Sequence, residues 1–353
     1  MAECRVATGA SLPERRFAPA AYPVLTRPHQ RADGIRHTLR HQPRGRLTLK
    51  RIADYPVYIV VRLVVCIVQA MPVDMCARIA RRLAYLAADV FQIRGEVVDD
   101  NLRHAFPELS PRERRRLARQ MWEHLALMGI EVVHAPRKIH DTNWRDYTSL
   151  VGSDKIIRAC FDDRPVVIIS GHYGNFELSG YVLALLGFPS FTVARPLDNP
   201  YLYLFINDFR GRTGQYILSK KGSSKQIEQV LASGGTIALL GDQYAGRKGC
   251  WVEFFGRPAS SHKAVSLFTL GSGAPAVFCF SRRQGKPLTQ RMGTDGMLDP
   301  KTMPDEMRSV PAVTQWYTER LEHTIREAPE QYWWLHRRWR EAQPRKRKRR
   351  KAA

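Results

Sequence analysis

The strongest constraint on the fold is a set of short, wholly apolar runs separated by helical stretches. Pro165-Val-Val-Ile-Ile-Ser170 and Thr236-Ile-Ala-Leu-Leu240 lack the polar alternation of a half-exposed strand. They read as strands buried on both faces. Ala274 to Phe280 is a third such run, and Phe188 to Val193 and Gln215 to Leu218 are weaker ones. Helical stretches are expected over 176–186, 199–213, 222–233 and 263–272, with Gly234-Gly235 as the stop after the third. Ser110-Pro111-Arg112-Glu113 is a helix start, with a Ser cap, Pro in the first turn and then an acid, and the helix is expected to reach about Gly129. Strands alternating with helices predict an α/β fold, a central mostly parallel sheet flanked by helices. No internal repeat is visible.

Charge and hydropathy divide the chain further. Of its 353 residues 44% are hydrophobic and 25% charged, which argues against wholesale disorder and against a polytopic membrane protein. The net charge of +23 is uneven: about +8 falls in residues 1–51, about +9 in residues 337–353, and only about +6 between them. Residues 1–51 carry no hydrophobic period and read as a disordered basic extension; Arg15-Arg16 has no apolar stretch close behind it, so it is not read as an export signal. Residues 343–353 read as a basic disordered tail, fitted to bind anionic lipid or, less well, nucleic acid. Between Tyr55 and Met71 lies the most apolar window, short for a span and interrupted by Arg62. A membrane span, an interfacial helix and a soluble core helix all remain open there. Residues 74–92 read as an amphipathic helix with Arg78, Arg81 and Arg82 on one side. The expected organisation is thus 1–51 extension, 52–95 membrane-anchoring helical region, 96–342 catalytic domain and 343–353 tail. The six cysteines are scattered without a CxxC pair or zinc spacing, which suits a reducing compartment.

In open α/β sheets, ligands bind beyond the carboxyl ends of the strands. His172 stands just past the first apolar run, and Glu177 stands in the first turn of the next helix. A His that meets a hydroxyl and a carboxylate that takes its other nitrogen make a general-base dyad. Gly171 and Gly174 permit a sharp turn and close approach to a ligand, and N–H groups of the helix start are placed to stabilise an oxyanion.

Ser170-Gly-His-Tyr-Gly-Asn-Phe-Glu177 resembles the H-x4-E/D block of the lipid A biosynthesis acyltransferases, the late lauroyl/myristoyl transferases, which have phosphatidylinositol-mannoside acyltransferase relatives. Four further blocks are similar to that family in the same order: Asn101-Leu-Arg-His-Ala-Phe-Pro-Glu108; Arg195-Pro-Leu-Asp-Asn-Pro200 with Arg210; Gly241-Asp-Gln243 with Val252 to Ala259; and Pro329-Glu-Gln-Tyr-Trp-Trp-Leu-His-Arg-Arg338. The basic flanks, Arg62 and Ser260-Ser261 depart from the family outline. The resemblance implies a glycerolipid-acyltransferase-like fold and transfer of a fatty acyl chain from acyl-ACP or acyl-CoA to a hydroxyl of a lipid A precursor. It implies His172 as the base, Glu177 as its orienting carboxylate, Arg210 as a holder of acidic or reacting groups, and Asp242 as support from the second strand end or a turn former. Gly174, Asn175, Arg195 and Gln243 are implied on the substrate side, Asn175 alternatively as a helix cap. No metal or cofactor is implied beyond the acyl co-substrate. The partners implied are acyl carrier protein, anionic membrane lipids and a glycolipid acceptor, with no nucleic acid, at the cytoplasmic face of a bacterial inner membrane. Another glycolipid or a lysophospholipid is the alternative acceptor, and a non-enzymatic basic binding protein the remote alternative. His336 is expected to have a structural and surface role, and Trp333, Trp334 and Trp339 to form an interfacial belt, with a packed core helix as the alternative for Trp334.

Overall fold

Parallel pairing of the apolar runs builds the centre of the sheet. In the computed structural model, which describes residues 49–161, 164–194, 196–211, 214–219 and 223–340, β2 (Val166–Ser170) lies beside β5 (Thr236–Leu240) in register from Val166↔Thr236 to Ser170↔Leu240. The expectations for residues 1–48, for the tail from 341 and for Arg195 fall outside the described residues. Beyond β5 the sheet continues through β3 (Ser190–Ala194) and β4 (Gln215–Ser219), all parallel. On the other side β8 (Ala276–Arg283) pairs parallel with β2, then antiparallel with β9 (Gln290–Leu298), which pairs parallel with β1 (Thr148–Val151). The order is β1-β9-β8-β2-β5-β3-β4. The expected α/β sheet is therefore present, mostly parallel with one antiparallel ladder. A separate antiparallel pair, β6 (Cys250–Phe254) and β7 (Arg257–Ser261), stands apart from it.

Helices flank the sheet and precede it. They are α1 (Leu49–Ala70), α2 (Val73–Tyr85) with a π turn at Leu86–Val90, α3 (Gly95–Ala105), α4 (Pro111–Lys138), α5 (Asp154–Phe161), α6 (Phe176–Leu185), α7 (Pro200–Gly211), α8 (Ser223–Ala232), α9 (Ala264–Ser272) and α10 (Val310–Glu327). The expected start of α4 is a full capping box: Glu113 N–H donates to Ser110 Oγ (3.3 Å) and Ser110 N–H to the Glu113 carboxylate (2.8 Å). The helix runs well past Gly129, however. Gly129 faces open space, and a buried stripe of Leu127, Glu131, His134 and Ala135 carries the helix through it. Burial on that face outweighs a helix penalty of about 1 kcal/mol for glycine.

The central strands have no polar face because both sides are covered. Val167, Ile169 and Ile237 enter the main core with Val313, Tyr317 and Leu321 of α10, while Val166, Ile168 and Val277 pack with Ile156 and Ala159 of α5. The C-terminal segment closes the main core. Trp334 is 1% exposed and packs edge-on to Tyr332 and Phe106, and Trp339 stacks on Phe254. Trp334 and Trp339 thus belong to the core rather than to an interfacial belt. Phe254, wholly buried, also contacts Phe255 and Tyr332. Phe254→Ala is expected to lower unfolding free energy by about 3–5 kcal/mol, read as a fall in the denaturant midpoint without a change in slope.

Candidate active site

Two strand ends meet at one pair of side chains. Gly171-His172 follows β2 and Gly241-Asp242 follows β5, at the same offset from the in-register pair Ser170↔Leu240. The Gly241 N–H donates to the Ser170 carbonyl (2.9 Å) and keeps the strands together past their ends. Asp242 then grips His172 twice: Oδ1 lies 2.7 Å from Nδ1, and Oδ2 accepts the backbone N–H at 2.9 Å. Both glycines are needed for space. A Cβ on Gly171 would stand 2.6 Å from Leu321, and one on Gly241 2.9 Å from the Tyr317 ring.

The pairing sets the charge state of both groups. Burial alone would raise Asp242, but the charge and hydrogen bonds of His172, with the charge of buried Arg338, hold it down at about 2. Burial alone would lower His172, but the charge and hydrogen bond of Asp242, helped by the charge of Glu177, leave it above its ordinary value. In the neutral imidazole, ionised Asp242 favours the proton on Nδ1 and leaves the lone pair on Nε2. Nε2 lies 3.3 Å from the Gln243 side-chain nitrogen and faces a cavity of about 860 Å³.

This geometry corrects one expectation. The carboxylate on His172 Nδ1 is that of Asp242, not Glu177. Glu177 sits in the first turn of α6, where Arg210 from α7 takes both its oxygens, Nε donating to Oε2 at 2.9 Å and Nη2 to Oε1. Glu177, Arg210 and Gln243 all line the cavity with His172. Gly174 and Asn175 do not. Gly174 has φ +57°, and a Cβ there would fall 1.4 Å from the Ser281 carbonyl oxygen. Its N–H goes to Gln331 and its carbonyl meets His124. Asn175 is wholly buried: Oδ1 caps α6 by accepting from Leu178 N–H (3.0 Å), and Nδ2 donates to Glu131 (2.7 Å). These two residues hold the turn and are not part of the cavity lining.

Sequence reasoning passed over what holds the turn from behind. Glu131, wholly buried, accepts from Asn175, Leu288 N–H (2.9 Å), Gln290 (3.2 Å) and, through both oxygens, Arg283. Burial, then the charge of Arg283, push His124 down to about 3, so it is neutral. Its Nδ1 accepts from Arg283 (2.7 Å) and its Nε2–H points at the Gly174 carbonyl. From the C-terminal segment Trp333 N–H donates to the His172 carbonyl (3.0 Å), and Trp333 packs edge-on to the imidazole. Asn101 donates to the carbonyls of Trp334 (2.7 Å) and His336 (2.8 Å). His336, pushed down to about 4 by burial above all, accepts from the Tyr244 N–H (2.9 Å), a structural role as expected. Arg338 donates to the Ser260 carbonyl and to Ser261 Oγ. A visible signal for the main pair existed: both apolar runs end in Gly followed by His or Asp.

A second, mostly apolar chamber of about 70 Å³ adjoins the cavity. The two share Ile168, Ser179, Leu183 and Cys279 as a wall, and Leu186, Phe188 and Met292 line the chamber alone.

Comparison with known proteins points one way. The family described as bacterial lipid A biosynthesis acyltransferase matches residues 46–341. A lipid A biosynthesis lauroyltransferase of Escherichia coli (strain K12) is 26% identical over 78% of this chain and 89% of its own. A lipid A biosynthesis palmitoleoyltransferase of the same organism is 24% identical over 76% and 86%. A solved structure, the 1-acyl-sn-glycerophosphate acyltransferase PlsC from Thermotoga maritima, overlays 73% of this chain and 98% of its own at 12% identity and a TM-score of 0.35, too distant to add to the fold above.

The His172 titration tests the pairing directly. By NMR its imidazole is expected to titrate above an ordinary histidine. In Asp242→Asn the midpoint falls, because burial then acts without the opposing carboxylate.

Proposed function

The chain belongs to the bacterial lipid A biosynthesis acyltransferase family and is an O-acyltransferase, and on that premise we propose that His172 Nε2 is its general base and a lipid A precursor its acceptor. The observation that carries the proposal is the buried Asp242–His172 pair with Nε2 facing the large cavity. The donor is a fatty acyl thioester of acyl carrier protein or CoA, and the reaction takes place at the cytoplasmic face of the inner membrane.

The chemistry follows from the groups present. His172 Nε2 takes the proton of the acceptor hydroxyl as its oxygen attacks the thioester carbonyl carbon. The imidazolium that forms is stabilised by Asp242, which stays ionised. Negative charge develops on the thioester oxygen, and the Gln243 amide, adjacent to Nε2, is a donor for it. As the C–S bond breaks, the proton on Nε2 passes to the departing thiolate. The net change is one C–O ester bond formed, one C–S bond broken and one proton moved from hydroxyl to thiol. Arg210 neutralises Glu177 at the cavity wall, so that this part of the wall is polar and charge-balanced.

The apolar chamber fits the far end of the acyl chain.

Lipid mass spectrometry on membranes of cells expressing wild type or His172→Ala tests the acceptor and the base together. The expected result is one added acyl mass on lipid A with the wild type alone, the variant falling by about 10²-fold or more. The same mass on a phospholipid or another glycolipid would change the acceptor, and equal activity in the variant would remove His172 as the base. Leu186→Ala enlarges the chamber. In competition assays it is expected to favour donors one or two carbons longer by about 10-fold over wild type, and an unchanged preference would take the chain end out of the chamber.

A further inference from the structure

We infer that α1 does not cross the bilayer but lies in the plane of one leaflet of an anionic membrane, so that the segment before it and the catalytic body stay on the same side. The window Ala53–Ala70 has a mean hydropathy of 1.6 and is long enough by composition to span. What decides is how the helix is held. Its half-buried residues Asp54, Tyr58, Val61, Val65 and Val68 recur at i, i+4, i+7, i+11 and i+14, one stripe along the whole helix. That stripe is tied to the body at both ends. Near the start, the Asp54 carbonyl accepts from Asn199 (2.7 Å) and Tyr55 and Tyr58 pack on Tyr201 of α7. Midway, the Arg62 guanidinium lies 4.8 Å from the Phe205 ring centre. Near the end, Gln69 donates to the Val133 carbonyl of α4 (2.8 Å).

Asp54 and Gln69 are about 22 Å apart at 1.5 Å per residue, most of a hydrocarbon core about 30 Å thick. A helix crossing upright while held at both points would draw α7 and the end of α4 through that depth. Their polar groups have no means of satisfaction in hydrocarbon. Lying flat, the same helix keeps the body in water. The opposite face then meets lipid: Val57, Val60, Leu63, Val64 and Ile67 are each more than half exposed. Apolar exposure continues past α2 at Leu86 and Phe91, the latter 69% exposed, and Arg78, Arg81 and Arg82 of α2 are exposed nearby in sequence. Apolar residues flanked by arginines suit the headgroup boundary of an anionic leaflet, as does a net charge of +23. Because α7 also carries Arg210, the element that braces the membrane helix reaches the cavity wall.

The test is sidedness. The full chain is expressed with Cys4 as its only cysteine, or with an epitope placed before residue 5 in the otherwise native chain, and acyl transfer in membranes reports folding. In right-side-out inner-membrane vesicles Cys4 is expected to resist an impermeant maleimide and the epitope to resist protease, and both become accessible in inverted vesicles. Accessibility from the periplasmic side would overturn the inference. In the second measurement, Leu63→Cys carrying an environment-sensitive dye is added to vesicles of phosphatidylglycerol and phosphatidylethanolamine. Quenching by lipids labelled near the headgroup is expected to exceed quenching by lipids labelled at the chain end. The reverse order, or no insertion, would overturn it.

Discussion

The parallel register of β2 with β5 is the constraint on which the site depends. Because Ser170 and Leu240 are partners, residues two positions beyond each strand are brought side by side, and those residues are His172 and Asp242. A one-residue slip would turn one side chain to the other face of the sheet. The register is itself secured by burial on both faces, since Val167, Ile169 and Ile237 enter one core cluster and Ile168 another. The hydrophobic pattern that makes the sheet therefore also aims the His172–Asp242 pair.

The pair is supported by a second, deeper pair. Burying Glu131 and Arg283 is costly unless every lone pair and proton finds a partner. Here the carboxylate receives Asn175, Leu288, Gln290 and Arg283, and the guanidinium also meets neutral His124. Asn175 and Gly174 belong to the turn that carries His172, so the network holds that turn in place. Glu131 belongs to α4, Arg283 to β8 and Gln290 to β9. Three elements distant in sequence thus fix one turn, and the C-terminal segment fixes it again through Gln331 and Trp333.

Much of this was legible in the chain. The apolar runs located β2, β5 and β8, and Ser110 to Glu113 located the start of α4. β9 was not legible because Gln290 to Leu298 carries two glycines and several polar residues, and its pairing is decided by β8 and β1 on either side. β6 and β7 are an isolated pair, of which only β6 alternates in exposure, and were read only as part of a family block. At the site, His172, Asp242, Gln243, Glu177 and Arg210 were legible as neighbours, but not which carboxylate meets the imidazole. Glu177 is nearer in sequence, and nearness in sequence does not set the pairing: an intrahelical position points Glu177 toward Arg210, while strand register points Asp242 at His172. Gly174 was read as a turn residue on the substrate side, and Asn175 as a substrate donor or a helix cap, of which the cap is what the structure has. They turn out to be the handles by which the interior holds the histidine.

The two carboxylates beside His172 differ in what they can do because they differ in what they already bind. Asp242 is 3% exposed and its oxygens are spent on the ring and backbone of His172, so its charge has no other large counterweight than the imidazolium and the nearby guanidinium of Arg338. Glu177 lies at the cavity wall with its charge answered by Arg210. The first arrangement stabilises the charge that appears on His172 when it takes a proton. The second keeps an arginine fixed at the wall of the cavity without leaving it as an uncompensated cation, which would oppose that same protonation. Both follow from topology: a residue after a central strand is enclosed by the sheet and α10, while a residue in the first turn of the next helix stays at the rim. The division of work between the two acids is therefore decided by where the chain turns, not by their identity as Asp or Glu.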